Sequence, residues 1–516
     1  MVVTTTTTTS IFLRNVIAWC QLAIKALEKI QDLKGLRHNK ADLDENLRLD
    51  LAAILIICSD PILRFSMTNI ESAKEEGDLL SILQKYGDIY FGRRDAGDAV
   101  FNSESAFFPV RLPFNKKFES AIDEAILMHS EAVDLMGSSA QRVRERAFCK
   151  KKIADYHNEL GKYFVKMENY SDALERYLRA AEIFRSEKDS ANTSLVYCNV
   201  AYLFRAQARS LRGASKGVFT SREEDCYQKA LEQYQKALEF VSSGSASVSS
   251  SSSSGSDAGA SKSSLAAVHE DVSQELAGCL LEFGTRLIDA FPELARAAAS
   301  SSNPSAGLEE IDKRISDIIF KSLRIFESAK NFREKKCAPA YYHLARLYQQ
   351  SLKFQNLLSR DKAKSKCRLF ERYMTKAIEG FNPKEFPLEH VASQCDLARF
   401  FVTNEISPLS AHSFVVSLQK ILQCRNVLDG IRPDDSIFNI TQNRISEVLQ
   451  FVLKEFVKFL SAPASASNSG SSSSLNNSRL AEVKTMYKTS LVEKDLSKAL
   501  TSIEESLEKI FGPQQR

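Results

Sequence analysis

At 516 residues the chain is long enough for a large core, and its 69 Lys and Arg against 65 Asp and Glu leave a net charge of +4. So even a balance leaves no electrostatic footprint for a nucleic-acid groove or an anionic membrane, and it argues against direct nucleic-acid binding. Glycine (19) and proline (12) are both scarce, which excludes collagen-like and turn-rich architectures and predicts long helices.

Residues 1–10, MVVTTTTTTS, lack the basic start of a secretory signal and are expected to be disordered. Their threonine run suggests that Met1 is an internal start within a longer protein. Residues 11–137 predict an N-terminal helical flank, with helical apolar periodicity at 11–36, 41–58, 68–86 and 118–137. Asp60-Pro61 closes the second of these, and 91–117 reads as a long loop. Arg14, Gln21 and Lys25 interrupt the first apolar run, and the run at 51–58 is far below the ~20 residues of a membrane span.

The sharpest pattern lies at 156–185. Leu160, Gly161 and Phe164 share one face of a first helix, and Ala173, Tyr177 and Ala180 share one face of a second. Asn169-Tyr170-Ser171 supplies the turn between them. This is the spacing of a tetratricopeptide (TPR) unit: small residues where two helices cross, aromatics beside the crossing. One such unit cannot bury its own apolar faces, so it predicts neighbours and an all-α, TPR-like helical-repeat solenoid.

The TPR-like repeats are placed at 138–241. In the second copy Tyr197, Val200, Ala201 and Phe204 repeat the first-helix template. Ala230, Tyr234 and Ala237 repeat the second-helix template 17 residues late, Ala201 to Ala230 spanning 29 positions where Gly161 to Ala173 spans 12. The surplus is read as a loop, RGASKGVFTSREED. Residues 242–264, rich in serine and glycine, are read as a disordered linker, because such a composition cannot bury enough apolar surface to offset its ordering entropy.

Helical repeats continue over 265–461. Patterns at 265–290 and 308–330 flank the breaker SSSNPSAG. Tyr341, Leu344, Ala345 and Tyr348 then match the first-helix template, and Phe370, Met374 and Ala377 the second. Helices follow at 386–404, 408–429 and 436–461. A second serine-rich linker at 462–477 precedes a C-terminal helical pair within 478–516.

Several segments come in an order that resembles the C-terminal TPR-containing region of the erythroid differentiation-related factor 1 family. They include HNELGKYF at 157–164, LVYCNVAYLFRAQA at 195–208, SREEDCYQKALEQYQKALEF at 221–240 and SQELAGCLLEF at 273–283. ISDIIFKSLRIFE at 315–327, YYHLARLYQQSL at 341–352, RYMTKAIEGF at 372–381 and NRISEVLQFVLKEFVKFLS at 443–461 follow. The resemblance covers roughly 140–511. It implies a nuclear protein tied to transcriptional control of erythroid genes, and it supplies neither enzymatic residues nor a defined binding site.

The residues carry no catalytic signature. Ten cysteines are scattered without a C-x-x-C, and seven histidines form no H-E-x-x-H, so no metal site is expected. Glycine-rich phosphate loops are absent from the sequence and no cofactor is expected. The basic clusters CKKK (149–152), REKK (333–336) and RDKAKSKCR (360–368) read first as solvated helix faces, with import or phosphate binding as the alternative. What remains is the inner face of the first helices, where the template places Asn158, Lys162, Asn199, Tyr202, Arg205, Tyr342, His343 and Arg346. A polar, partly cationic groove of this kind suits a protein or peptide partner. The expected function is a non-enzymatic scaffold in a nuclear regulatory complex. A cytoplasmic adaptor for transport or chaperone partners is the alternative.

Overall fold

The structure is a computed structural model that describes residues 116–137, 143–250, 257–300, 302–328, 334–404, 409–432, 435–462, 472–493 and 495–512. The threonine-rich start and the patterns expected at 11–36, 41–58 and 68–86 lie outside these residues. Those described are helices joined by short turns, with no strand among them. The chain divides into two compact units, 1–273 and 274–516.

The first unit holds α1 (Lys116–Met136), α2 (Val143–Lys166), α3 (Tyr170–Ser186), α4 (Ser190–Ala214) and α5 (Ser221–Ser250). The expected crossings are present. Ala173, Ala180, Ala201, Ala230, Tyr234 and Ala237 are fully buried, and Tyr177 nearly so. A Cβ added at Gly161 would lie 2.5 Å from the Tyr177 ring, so only glycine lets α2 and α3 cross there. Gly161→Leu is therefore expected to lower stability by about 1–3 kcal/mol in a thermal or urea melt, through overpacking. An unchanged melt would contradict the helix register.

The turns repeat as well. Glu168 and Lys188 adopt φ of 57° and 56°. After each, Asn169 or Asp189 returns its N–H to the carbonyl five residues back, at 2.9 Å, and its side chain caps the next helix. This helix-ending geometry satisfies the last carbonyls of one helix and the first amides of the next.

The surplus in the second repeat is not the loop the sequence suggested. Only 215–220 leave the helix. Relative to the first repeat, eight extra residues lengthen the end of α4, three lie in the turn, and six lengthen the start of α5. Buried Ala208, Cys226 and Tyr227 hold this extension together. Gly213 and Gly217 mark its tip, where Gly217 takes φ of 87°. The serine tract differs too. α5 runs on to Ser250, and the next helix, α6 (Asp257–Asp289), begins inside the tract, leaving 251–256 outside the described residues. Serine costs a helix only a few tenths of a kcal/mol, so helices anchored by Val241 and Leu265 extend into it.

The division between the units falls within α6. Beyond it come α7 (Phe291–Ala299), α8 (Pro304–Ser328), α9 (Glu334–Leu352), a 3-10 turn (Gln355–Leu357), α10 (Arg360–Gly380), α11 (Pro387–Thr403), α12 (Ala411–Gln423), α13 (Arg425–Asp429), α14 (Ser436–Ser461), α15 (Ser472–Val492) and α16 (Leu496–Phe511). Gly284 on α6 reproduces the Gly161 crossing, a Cβ there falling 2.6 Å from Ile319 of α8. Ala345 and Ala398 hold the same place on α9 and α11, both fully buried. Facing them, Phe370, Met374 and Ala377 on α10 and Phe414, Leu418 and Ile421 on α12 are fully buried at the spacing of Ala173, Tyr177 and Ala180. A buried polar cluster ties α8, α9 and α10 together. Lys366 pairs with Asp312, and the Ser351 hydroxyl donates to the same carboxylate oxygen at 2.9 Å.

Candidate functional site

In the first unit a cleft of about 880 Å³ opens along α2, α3 and α4. The first helices supply its sides because their small crossing residues turn inward and leave the next positions facing the cleft. Lys162 and Lys166 come from α2, and Asn199, Tyr202 and Arg209 from α4. Tyr163 and Tyr177 lie beneath them, both buried. At one end the α2–α3 turn is laced to the lengthened α4. The Tyr170 hydroxyl donates to the Ala206 carbonyl at 3.4 Å, and the Ser210 hydroxyl donates to Glu168 at 3.3 Å.

Three of the five residues expected in this unit, Lys162, Asn199 and Tyr202, line the cleft, and Asn158 reaches it through Asn199. Asn199 Nδ2 donates to Asn158 Oδ1 at 2.8 Å, which bridges the two first helices. Lys162 pairs with Glu159 at 2.7 Å and remains exposed. Tyr202 exposes 46 % of its surface, a large exposure for an aromatic with no apolar cover. Arg205 is the exception. It is 8 % exposed and donates to the Tyr234 hydroxyl at 3.0 Å, turned into the repeat rather than toward the cleft. It occupies the position of Val165, which is buried in the first repeat, so a four-residue offset from the crossing alanine identifies it as inward.

The cleft presents cations, amides and tyrosines. Burial pushes the Tyr177 phenol far above its ordinary range, so it stays a protonated hydroxyl at any physiological pH. Exposed Lys and Arg, an amide pair and an exposed tyrosine face can take backbone and side-chain groups of an extended segment. Tyr163, Lys166, Tyr170, Arg209 and Ser210 were not singled out by the sequence. Tyr163 and Lys166 lie on the marked helix. Arg209 and Ser210 belong to the α4 extension, past the end of the first-helix template.

The second unit uses its candidate residues differently. Arg346 pairs with Asp289 of α6 at 3.2 Å. The Tyr342 hydroxyl donates to Asp396 of α11 at 3.1 Å, and Arg444 of α14 pairs with the other oxygen of that carboxylate. Burial, then the Asp396 charge, pushes the Tyr342 phenol up to about 12. His343 is held down at about 4, by burial first and then by the Arg346 cation, and its Nδ1 has no hydrogen-bond partner. Tyr342 and Arg346 thus join successive first helices, and His343 packs edge-on against Tyr342 of its own helix. Tyr342 and Arg346, expected on the inner face, spend their polar groups on these contacts between repeats.

No group of His, Cys, Asp and Glu that could hold a metal occurs among the described residues, and no helix among them is long and apolar enough to cross a membrane.

The family model described as "Erythroid differentiation-related factor 1-like, TPR repeats" matches residues 170–445, more than half of the chain. No curated protein matches. Among solved structures the chain is similar to a "Circular tandem repeat protein with novel repeat topology and enhanced subunit contact surfaces", at 12 % identity over 96 % of this chain and 95 % of that one. Their TM-score is 0.23, too low for the superposition to add to the fold.

Proposed function

The chain belongs to the erythroid differentiation-related factor 1-like TPR family, and from that premise we propose that it is a non-enzymatic scaffold of a nuclear complex that regulates transcription or differentiation. TPR repeats generally mediate protein interactions, and on this reading the cleft along α2, α3 and α4 is where a partner segment docks. One observation carries that placement. Tyr202 presents an exposed ring over a cleft whose flanks carry Lys162, Lys166, Asn199 and Arg209. An aromatic ring beside amides and cations is the composition of interaction hot spots. The nuclear role draws its support from the family alone.

Tyr202→Ala combined with Lys162→Glu is expected to remove the chain's partners from an affinity purification of the full-length protein while leaving its melt within about 0.5 kcal/mol, since both side chains are exposed. Undiminished recovery would place docking elsewhere. Fluorescence of a tagged full-length protein separates this reading from a cytoplasmic adaptor. Nuclear signal is the expected result, and steady cytoplasmic signal would favour the adaptor.

A further inference from the structure

Each copy of the second-helix template buries a large side chain at its central position, and the copies differ in what the far end of that side chain meets. In α5 the Tyr234 hydroxyl accepts from Arg205 at 3.0 Å. Met374 of α10 and Leu418 of α12 carry no hydroxyl. Tyr177 of α3 carries one, and Val165, which stands in the place of Arg205, cannot donate to it. Tyr177 is 1 % exposed, and among the described residues its hydroxyl has no hydrogen-bond partner. One edge of its ring lies against Gly161, which holds it in place. Glu159 and Tyr202, the groups that act on the phenol after burial, both line the cleft, so the hydroxyl sits on the cleft side of the ring.

The cleft holds a second unspent donor. Lys162 is paired with Glu159, and Glu168 accepts from Ser210. Lys166 lines the same cleft, is exposed, and among the described residues has no ion pair. A phenol that stays protonated and an ammonium both offer hydrogens, and both are met best by an anion. A backbone carbonyl would satisfy the hydroxyl but leave Lys166 unmatched. A doubly charged phosphate would stand against Glu159 and Glu168, which line the cleft too.

We propose, resting on the reading of the cleft as the docking site, that its occupant is an acidic segment of a partner protein, which brings the carboxylate of an Asp or Glu side chain onto the Tyr177 hydroxyl while Lys166 balances its charge. The hydroxyl bond to a carboxylate is charge-assisted, so it outweighs the bond to water that it replaces in the open cleft. The fold itself has no use for this hydroxyl: a phenyl ring would pack against Gly161 equally well.

The test selects random peptides, displayed on phage through their C-terminal ends, on the full-length chain. Enriched peptides are then made as labelled C-terminal amides, so that only side chains supply carboxylates, and binding is read by fluorescence anisotropy. Peptides enriched on the wild type and not on Tyr202→Ala are expected to share an Asp or Glu. Tyr177→Phe and Lys166→Glu should each weaken such a peptide by about tenfold or more. Neither should weaken the same peptide once alanine replaces its acid. Tyr177→Phe removes only the hydroxyl and should melt no lower than the wild type. A lower melt would show that the hydroxyl has a partner within the fold and would overturn the proposal. Peptides that depend on Tyr202 but carry no acid, or that bind Tyr177→Phe as tightly as wild type, would overturn the occupant and leave the cleft as the docking site. An absence of peptides that depend on Tyr202 would overturn the cleft reading and the proposal with it.

Discussion

Replacing Lys366 by methionine is expected to destabilise the protein by about 3 kcal/mol near pH 8, and to let part of that loss return as the pH falls. Lys366 and Asp312 are largely buried, with 12 % and 9 % of their side-chain surfaces exposed. Removing one member of a buried pair strands the other, at roughly 3–5 kcal/mol. Burial already raises the Asp312 carboxyl above its ordinary range, and the Lys366 charge is what opposes that rise. Its Oδ1 has no hydrogen-bond partner, so the Ser351 hydroxyl on Oδ2 would be the bond left to the charged form. Without Lys366 the folded-state pKa climbs further above the unfolded value. A carboxyl raised in this way contributes stability below its unfolded pKa and loses it as the pH rises through its folded pKa. The difference between Lys366→Met and wild type should therefore shrink on acidification, in urea melts followed by circular dichroism. A difference that stays constant from pH 8 to pH 5 would mean that Asp312 does not depend on this partner.

The second large effect has the opposite sign. His157 and His343 are both held down at about 4. Burial is the main cause in each, followed by Arg176 and Arg179 beside His157 and by Arg346 beside His343. Each has an Nδ1 without a partner, so neither gains a bond on protonation that would repay the charge. A depressed folded pKa contributes stability that is complete above the unfolded value of ~6.5 and is lost as the pH falls through the folded one. At 1.36 kcal/mol per pKa unit, each histidine accounts for up to about 3 kcal/mol of acid destabilisation by pH 4. His157→Gln and His343→Gln should each flatten the fall in urea midpoint between pH 6.5 and pH 4.5 relative to wild type. If both variants follow the wild-type curve, carboxylates account for the acid response.

Much of the fold can be read from local spacing. The 160, 161, 164 and 173, 177, 180 positions mark one helix crossing, and the same offsets recover the helices around Ala201 with Tyr234 and around Ala345 with Met374. The crossing at Gly284 escaped the sequence because α7 and its turns put Ile319 35 positions away, where the first unit needs 16 between Gly161 and Tyr177. The extended α4–α5 hairpin was hidden for another reason. In sequence the surplus at 212–225 reads as a loop, but Ala208, Cys226 and Tyr227 bury enough surface to keep both helices running to its tip.

The candidate site was legible to the extent that its residues sit near each other in sequence. Asn158, Lys162, Asn199 and Tyr202 fall on two adjacent helices of two adjacent repeats, and they meet. Tyr342 and Arg346 carry the same template positions, yet their partners Asp396 and Asp289 lie 54 and 57 residues away. Local periodicity says which way a side chain points; it does not say whether a carboxylate from another repeat arrives there. The same limit applies to the basic segment of α10. Its sequence shows a run rich in cations, while only the packing of α8 shows that Lys362 and Lys366 pair with Glu309 and Asp312.

The central claim is that the cleft along α2, α3 and α4 holds a partner segment. Photo-crosslinking tests it most directly, with a photoreactive amino acid placed at Tyr202 and, separately, at Leu178, an exposed position of α3 that does not line the cleft. The account predicts that position 202 captures one recurring partner segment, that position 178 does not, and that Lys162→Glu diminishes the capture. Equal capture from both positions, or capture from 178 alone, would contradict it.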